Sequence, residues 1–384
     1  MIMSNTWWHD EKDLVDEQLA LLEVPADESV LIEGPPGSGK TNLLLLRANQ
    51  LFIDQHPNLH VVVFGSLLKK FIKIGGVQYK FPEDKVVTHT HLFSTILRAE
   101  GCDIDSNKLS LDEARAKRCA EISKLLEAKK IGKLYDALLL DEAQDYSPAE
   151  IEIFLSITDV VIATADSKQK IYAVDDCLEL LRGRIGRKHR LKYHFRNGRE
   201  ICKVADGLMK GKPDYIKMLP SSHYKESAYP SKVHPKPGLS LSEQAVAMAA
   251  QIKDQQFAYP DDIIGVMCPR NEDLDVIADG LEAQGLGEFM TRANSNDFDP
   301  TRQLWLSTLT AAKGLEFRAA HIGGLENLSR MGGPQRRLIY TGVTRAKTTL
   351  SLYWNQACPG YIQSATLALE TGQPPTIKRI FGKA

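Results

Sequence analysis

The residues Gly34-Pro35-Pro36-Gly37-Ser38-Gly39-Lys40-Thr41 fit the pattern G-x-x-x-x-G-K-[ST] without a mismatch. Glycines at these spacings let a backbone curl tightly, so that successive N–H groups converge on phosphate oxygens. The ammonium of Lys40 can reach the outer phosphates, and the Thr41 hydroxyl is a hard oxygen ligand of the kind magnesium takes. A second run with chemistry in it is Leu138-Leu139-Leu140-Asp141-Glu142-Ala143-Gln144-Asp145, an apolar segment ending in adjacent carboxylates. Asp141 is suited to hold magnesium, often through water, and Glu142 to orient and deprotonate an attacking water. The two runs together describe the halves of a magnesium-nucleotide site.

Such a site needs a strand before the glycine-rich turn and a helix after it. The apolar residues 30–32 supply the strand, and residues 41–55, free of Gly and Pro, read as the helix. The helix N-terminus then adds partial positive charge where the phosphates would lie. Further β-rich apolar runs at 60–64, 137–140, 160–164, 263–267, 304–308, 319–322 and 348–353 alternate with longer helical stretches. That alternation predicts an α/β fold with parallel sheets covered by helices, in two nucleotide-fold-like halves. Residues 94–132 are helical and charged, with Leu111, Ala114, Cys119, Ile122, Leu125 and Leu126 in a helical rhythm, and read as a small inserted lobe. The basic stretch 182–190 is a candidate hinge, either a solvated connector or a phosphate contact. Prolines 213, 220, 230, 235 and 237 mark an irregular stretch.

Composition narrows the class. A chain of 384 residues with 43% hydrophobic content can bury one or two substantial cores. With 48 basic against 49 acidic residues there is no global positive field, so any nucleic-acid contact must come from a local groove. The six cysteines form no C-x-x-C pair and read as ordinary thiols of a reducing compartment. No apolar run approaches bilayer-spanning length, so the chain is expected to be soluble and intracellular, with no membrane partner.

Taken in order, these motifs resemble those of superfamily 1 helicases of the UvrD/Rep type. The phosphate loop and the DEAQD run come without a departure. Ala165-Asp166-Ser167-Lys168-Gln169-Lys170-Ile171-Tyr172 resembles the GDxxQxIY segment, and Tyr193-His194-Phe195-Arg196-Asn197 the NYRS segment. The run from Ser307 to Phe317, with Lys313-Gly314-Leu315-Glu316-Phe317 at its end, resembles STxHxxKGLEF. Tyr340-Thr341-Gly342-Val343-Thr344-Arg345-Ala346-Lys347 resembles YVALTRAK.

The resemblance implies two RecA-like P-loop NTPase domains, at 1–185 (with 94–132 inserted) and 186–384, hydrolysing ATP with Mg²⁺ in the cleft between them. It assigns Gln18 to adenine, Gln169 to the terminal phosphate, and Phe195, Gly314 and Glu316 to the nucleotide. Arg196 and Arg345 become arginine fingers, a role worth about 10³–10⁵ in turnover. Phe64, Ser66, Thr90, His91, Thr308 and Thr310 become candidate contacts to single-stranded DNA, with RNA as the other track. His91 is open to a second reading, as a buried core histidine.

The departures are informative too. Phe195 and Thr310 stand where the family typically has Tyr and His. Ala173-Val174-Asp175-Asp176 replaces the usual aromatic-Arg-Gly platform, and the stretch after 60–64 lacks the usual threonine-asparagine set. Between Arg270 and Leu304 little room remains for the second accessory insertion. Resemblance to the DEAQD and TRAK type implies 3′-to-5′ translocation on single-stranded DNA with helicase activity. The alternative is a DNA-stimulated ATPase switch, or the motor subunit of a larger complex, for example with a nuclease. A small-molecule kinase shares only the first motif.

Overall fold

The strands that lead into the phosphate loop and to Asp141 are largely apolar because they lie inside a parallel sheet. The computed structural model describes residues 14–54, 56–65, 69, 80–102, 104–105, 109–166, 177–212, 215–293, 297–331 and 335–370. They divide into two compact units, one ending at Tyr193 and the other beginning at His194.

The first unit runs α1 (Asp16–Leu22), β1 (Val30–Glu33), α2 (Lys40–Ile53), β2 (Leu59–Val63), β3 (Val86–Thr88), α3 (His89–Ala99) and α4 (Leu111–Glu127). It continues with β4 (Tyr135–Leu140), α5 (Pro148–Ile157), β5 (Thr158–Ala165), α6 (Cys177–Arg184) and β6 (Arg187–Arg190). Its sheet is parallel throughout, in the order β3-β2-β4-β5-β1-β6. One strand, β5, therefore separates β1, which leads into the phosphate loop, from β4, which ends at Asp141, as a RecA-like sheet requires. Val30, Leu31, Ile32 and Ala137 through Leu140 are all fully buried, so these strands read as continuous apolar runs rather than alternating ones.

The expected lobe at 94–132 is corrected by the packing. Ala114, Cys119, Ile122 and Leu125 of α4 are buried, and Cys119, Ile122 and Leu125 join one core with Leu31, Val62 and Leu138 of the sheet. α3 and α4 are thus the crossover from β3 to β4, with their apolar faces on the sheet. Leu111, counted in the helical rhythm, is 63% exposed at the start of α4. Ser110 caps that helix in a reciprocal pair with Glu113.

The second unit contains α7 (Arg199–Leu208), β7 (Lys232–Lys236), α8 (Leu241–Ala258), β8 (Ile264–Cys268), α9 (Asn271–Ala283), β9 (Met290–Arg292), β10 (Leu304–Thr308), β11 (Phe317–Ile322), α10 (Gln335–Val343), β12 (Ala346–Tyr353) and α11 (Gly360–Glu370). Its sheet is parallel as well, in the order β7-β12-β11-β8-β10-β9. Its core joins Met248 and Ile252 of α8 and Leu274, Ile277 and Leu281 of α9 to Ile264, Val266, Leu304 and Leu306 of the strands.

The boundary expected at 185–186 moves to 193–194. Residues 187–190, read from the sequence as part of a hinge, pair along β1 and add the sixth strand to the first sheet. No helix among the described residues is long and apolar enough to cross a membrane.

Candidate nucleotide site

The phosphate loop leaves β1 at Gly34 and enters α2 at Lys40. Gly37 (φ 75°) and Gly39 (φ 85°) take left-handed conformations that a side chain would strain. A Cβ at Gly34 would meet Ser38 Oγ at 2.8 Å and Leu191 Cβ at 2.9 Å, so only glycine lets the loop pass there. Lys40 Nζ donates to the carbonyls of Gly34 (2.8 Å) and Pro35 (2.9 Å), which lays the ammonium across the loop. The amide of Gln18 on α1 is used at both ends: Nε2 donates to Ser38 O (3.0 Å), and Oε1 accepts from Val15 N (3.1 Å). The residue expected to read adenine is therefore anchored on the loop itself.

Opposite the loop stands the end of β4. Thr41 Oγ1 donates to Asp141 Oδ2 (3.0 Å), and Thr164 Oγ1 on β5 donates to Asp141 Oδ1 (2.6 Å). Asp141 is 1% exposed. Burial, and then the neighbouring Glu142 carboxylate, raise its pKa to about 6 against the pull of Thr164, Thr41 and Lys40. Two oxygen donors on a buried carboxylate and a hydroxyl fit a hard divalent cation, whose charge would offset that burial.

Glu142 adopts φ 50°, ψ 47°, a left-handed conformation uncommon for a residue with a side chain. Its carboxylate accepts from Gln144 Nε2, while Gln144 Oε1 accepts from Asp166 N at 2.9 Å. Gln144 is fully buried and was visible in the DEAQD run, yet nothing in its residue type announced this positioning task. Arg115 of α4 closes the back of the site, donating to Asp145 O (3.1 Å) and to both carboxylate oxygens of Glu150.

In the second unit the structure gathers Arg196, Glu316 and Lys347. Arg196 Nη2 donates to Glu316 Oε1, and Lys347 Nζ lies 3.2 Å from Glu316 Oε2. Burial alone would raise the Glu316 carboxyl, but the two cations outweigh it and hold the pKa at about 2. Asn197 ties the group down by donating to Thr344 O (3.0 Å) and Ala346 O (2.6 Å). Lys347 and Asn197 sit inside recognised motifs but were given no role by sequence. Gly314, at φ 86°, makes the turn that delivers Glu316. Phe195 is half-buried, its ring edge-on to His223.

Arg345 is placed differently from Arg196. It is 1% exposed, with Nε donating to Thr341 O and Nη1 to Leu315 O, both at 3.1 Å. Its guanidinium joins α10 to the turn before β11.

Among the residues read as nucleic-acid contacts, Phe64 follows β2 and stacks on His89 at 4.8 Å between ring centroids, with the Arg115 guanidinium 5.1 Å away. The buried histidine is His89, at 5% exposure; His91 is exposed, which removes its core reading. The difference is one of helix phase, because Thr88 caps α3 by accepting from His91 N and so turns His89 inward. Thr90 Oγ1 lies 3.2 Å from His89 Nε2. Thr308 Oγ1 accepts from Ala311 N at 3.2 Å, and Thr310 is half-buried beside it. Gln169 and Ser66 lie outside the described residues.

Residues 303–353 match the UvrD-like helicase C-terminal domain. This segment is helicase-like. The match takes in Thr308, Thr310, Gly314, Glu316, Arg345 and Lys347, whereas the phosphate loop and Asp141 precede it. Among solved structures, the chain is similar to a PRRSV helicase (15% identity, TM-score 0.42), with 87% of this chain and 54% of that one covered. The chain thus spans about half the length of that helicase. A second similarity is to the C-terminal domain of a possible DNA helicase from Lactobacillus plantarum WCFS1 (17% identity, TM-score 0.34), covering 46% of this chain and 96% of that one. No curated protein matches the chain.

Proposed function

We propose that the chain is an ATP-dependent translocase on single-stranded DNA of the UvrD/Rep type, moving 3′-to-5′ with helicase activity. The observation that carries this reading is the hydrogen bond from Thr41 in the phosphate loop to Asp141 at the end of β4. It joins the two sequence runs, and the match of residues 303–353 to a UvrD-like helicase C-terminal domain supports reading the chain as a motor.

In this reading the backbone N–H groups of residues 34–41 and the Lys40 ammonium hold the phosphates, exchanging the Gly34 and Pro35 carbonyls for phosphate oxygens. Gln18 reads the adenine. Thr41 and Asp141 would hold Mg²⁺, which when bound offsets charge on the β- and γ-phosphate oxygens. Glu142, fixed by Gln144, takes the proton of the attacking water. Gln169 senses the terminal phosphate. Arg196 supplies positive charge to the equatorial oxygens in the transition state, giving up its pairing with Glu316 as it does so. Phe195, Gly314 and Glu316 complete the nucleotide contacts, and Phe64, Ser66, Thr90, His91, Thr308 and Thr310 the strand contacts.

The test is ATP hydrolysis measured with and without single-stranded DNA or RNA, beside displacement of a labelled strand from duplexes with 3′ or 5′ tails. Stimulation by single-stranded DNA, with release only from the 3′-tailed duplex, is the expected result. Stimulated hydrolysis without release would instead assign an ATPase switch or the motor subunit of a larger complex. A phosphorylated small-molecule product would assign a kinase.

A further inference from the structure

The short helix α1 faces two ways. Gln18 points at the phosphate loop through Ser38 O. The preceding residue, Glu17, points at the segment where the chain leaves the first unit. Its carboxylate accepts from Lys192 N (3.2 Å to each oxygen) and from Tyr193 N (3.3 Å). Its backbone carbonyl accepts from His189 Nε2 at 2.5 Å. Adjacent residues on a helix are about 100° apart, so one short rigid element can carry both contacts.

The same segment is held from the loop side. Leu191 N donates to Glu33 O at 2.8 Å, and Leu191 is 1% exposed. Its Cβ lies where a side chain on Gly34 would be, so the first residue of the phosphate loop rests directly on it. α1 is in turn fastened to the helix that follows the loop. Gln50 Nε2 of α2 donates to Leu22 O (2.9 Å), and Arg47 Nη2 to Pro25 O (2.6 Å). Beyond Tyr193 the chain belongs to the second unit. Residues 191–193 are therefore clasped between the phosphate loop and α1 at the point of exit.

We propose that Glu17 is a positioning residue that couples phosphate-loop occupancy to residues 191–193, the connection into the second unit. The proposal rests on the nucleotide reading above. A nucleotide that draws Gln18 away from Ser38 must move α1, and the Glu17 carboxylate carries that movement to the amides of Lys192 and Tyr193. Two backbone N–H groups on one carboxylate are charge-assisted bonds, stronger than neutral ones, so the clasp can transmit displacement rather than merely yield.

The experiment is amide hydrogen exchange on the full chain, read on peptides covering residues 187–196, with and without Mg²⁺ and the non-hydrolysable analogue adenylyl imidodiphosphate. Binding of a fluorescent form of the same nucleotide is titrated in parallel. In the unaltered chain, the analogue is expected to change exchange at Lys192 and Tyr193. In Glu17→Ala, exchange there should be faster by about tenfold, the effect of losing hydrogen bonds of about 1.4 kcal/mol, and indifferent to nucleotide. Nucleotide affinity should stay within about threefold, since the loop contacts remain. Glu17→Asp, a methylene too short, should behave like the alanine variant. Glu17→Gln, which keeps an accepting oxygen, should restore the response.

DNA-stimulated turnover should fall in kcat while KM holds, and unchanged circular dichroism and a full stoichiometry of nucleotide binding separate this from a loss of folded chain. A Glu17→Ala chain that binds the analogue and responds to it as the unaltered chain does overturns the coupling and leaves the nucleotide site standing. An unaltered chain that binds no nucleotide overturns both.

Discussion

Thr41 and Asp141 stand 100 residues apart in sequence, and their side chains are 3.0 Å apart in the fold. The contact follows from strand order: β1 and β4 sit on either side of β5, so the turn after one faces the end of the other. Thr164 of β5 holds the second Asp141 oxygen and fixes the carboxylate in plane.

That arrangement separates chemistry from stability. Asp141→Asn keeps the shape and removes a buried charge, so ATP turnover should fall by at least about 10², as for other groups that stabilise transition-state charge, while thermal stability is kept or rises. Glu142→Gln and Lys40→Ala should likewise lose stimulated hydrolysis, with the fold retained by circular dichroism. Full activity in Lys40→Ala or Glu142→Gln would remove the assignment.

Acid should weaken both units well above the pH at which carboxylates protonate. His89 (first unit) and His321 (second unit) are buried, and burial lowers their pKa values to about 4 and about 3. For His89, Glu150 pulls upward, and Arg115 and Arg118 push down; for His321, the charge on His234 pushes down. His321 is also held by Tyr353 (2.9 Å) and Gln255 (2.8 Å). The folded pKa lies below the unfolded value of 6.5 in each case, so the unfolded chain takes up protons first as pH falls. The stability present above pH 6.5 is lost from there down to about 4 and 3, on the order of 3 kcal/mol for His89. Denaturant melts at pH 7.5 and 5.0 should show this loss, and His89→Gln should reduce it in the first unit.

The stack of Phe64 on His89 gives a sharper expectation for strand binding than His91 does. Base stacking on an aromatic is worth about 1–3 kcal/mol per base, so Phe64→Ala should weaken single-strand affinity by roughly tenfold or more while unstimulated hydrolysis persists. His91→Ala, altering an exposed side chain, should change affinity less. Fluorescence anisotropy with a labelled oligonucleotide compares the two, and equal effects would take Phe64 out of the strand path.

What could be read from the sequence depended on burial. The eight strands anticipated from apolar runs are the eight interior strands of the two sheets. Among the described residues, the strands that were missed, β3, β6, β7 and β9, are the ones at the sheet edges. β6, Arg187-Lys188-His189-Arg190, carries charge that discourages further pairing at an edge and so shows no apolar run, whereas β3, Val86-Val87-Thr88, is only three residues long. Pro235 in β7 is tolerated because an edge leaves one side of the backbone unpaired. The site divided along similar lines. The phosphate loop and Asp141 were legible because glycine spacing and paired acids are local signals. Gln144, Asn197, Lys347 and Glu17 were not, because their tasks depend on partners brought by distant strands.

The two arginines singled out from motifs should part company when replaced. Arg345 is buried and donates to the carbonyls of Thr341 and Leu315. Removing it leaves buried acceptors without these donors, each worth about 1–3 kcal/mol, so Arg345→Ala should lower the melting temperature as well as turnover. Arg196 pairs with a carboxylate that Lys347 also holds, so Arg196→Ala leaves Glu316 with a cation and should cost less stability. Its cost should fall on kcat, by about 10³ or more if it supplies charge to the transition state. Glu316→Gln provides the control: it leaves two cations facing each other and should destabilise by about 2 kcal/mol, a value discounted for partial exposure from the loss seen on breaking buried pairs. Thermal melts and steady-state hydrolysis on the three variants decide the matter, and a stable Arg345→Ala that loses only kcat would return Arg345 to the phosphate.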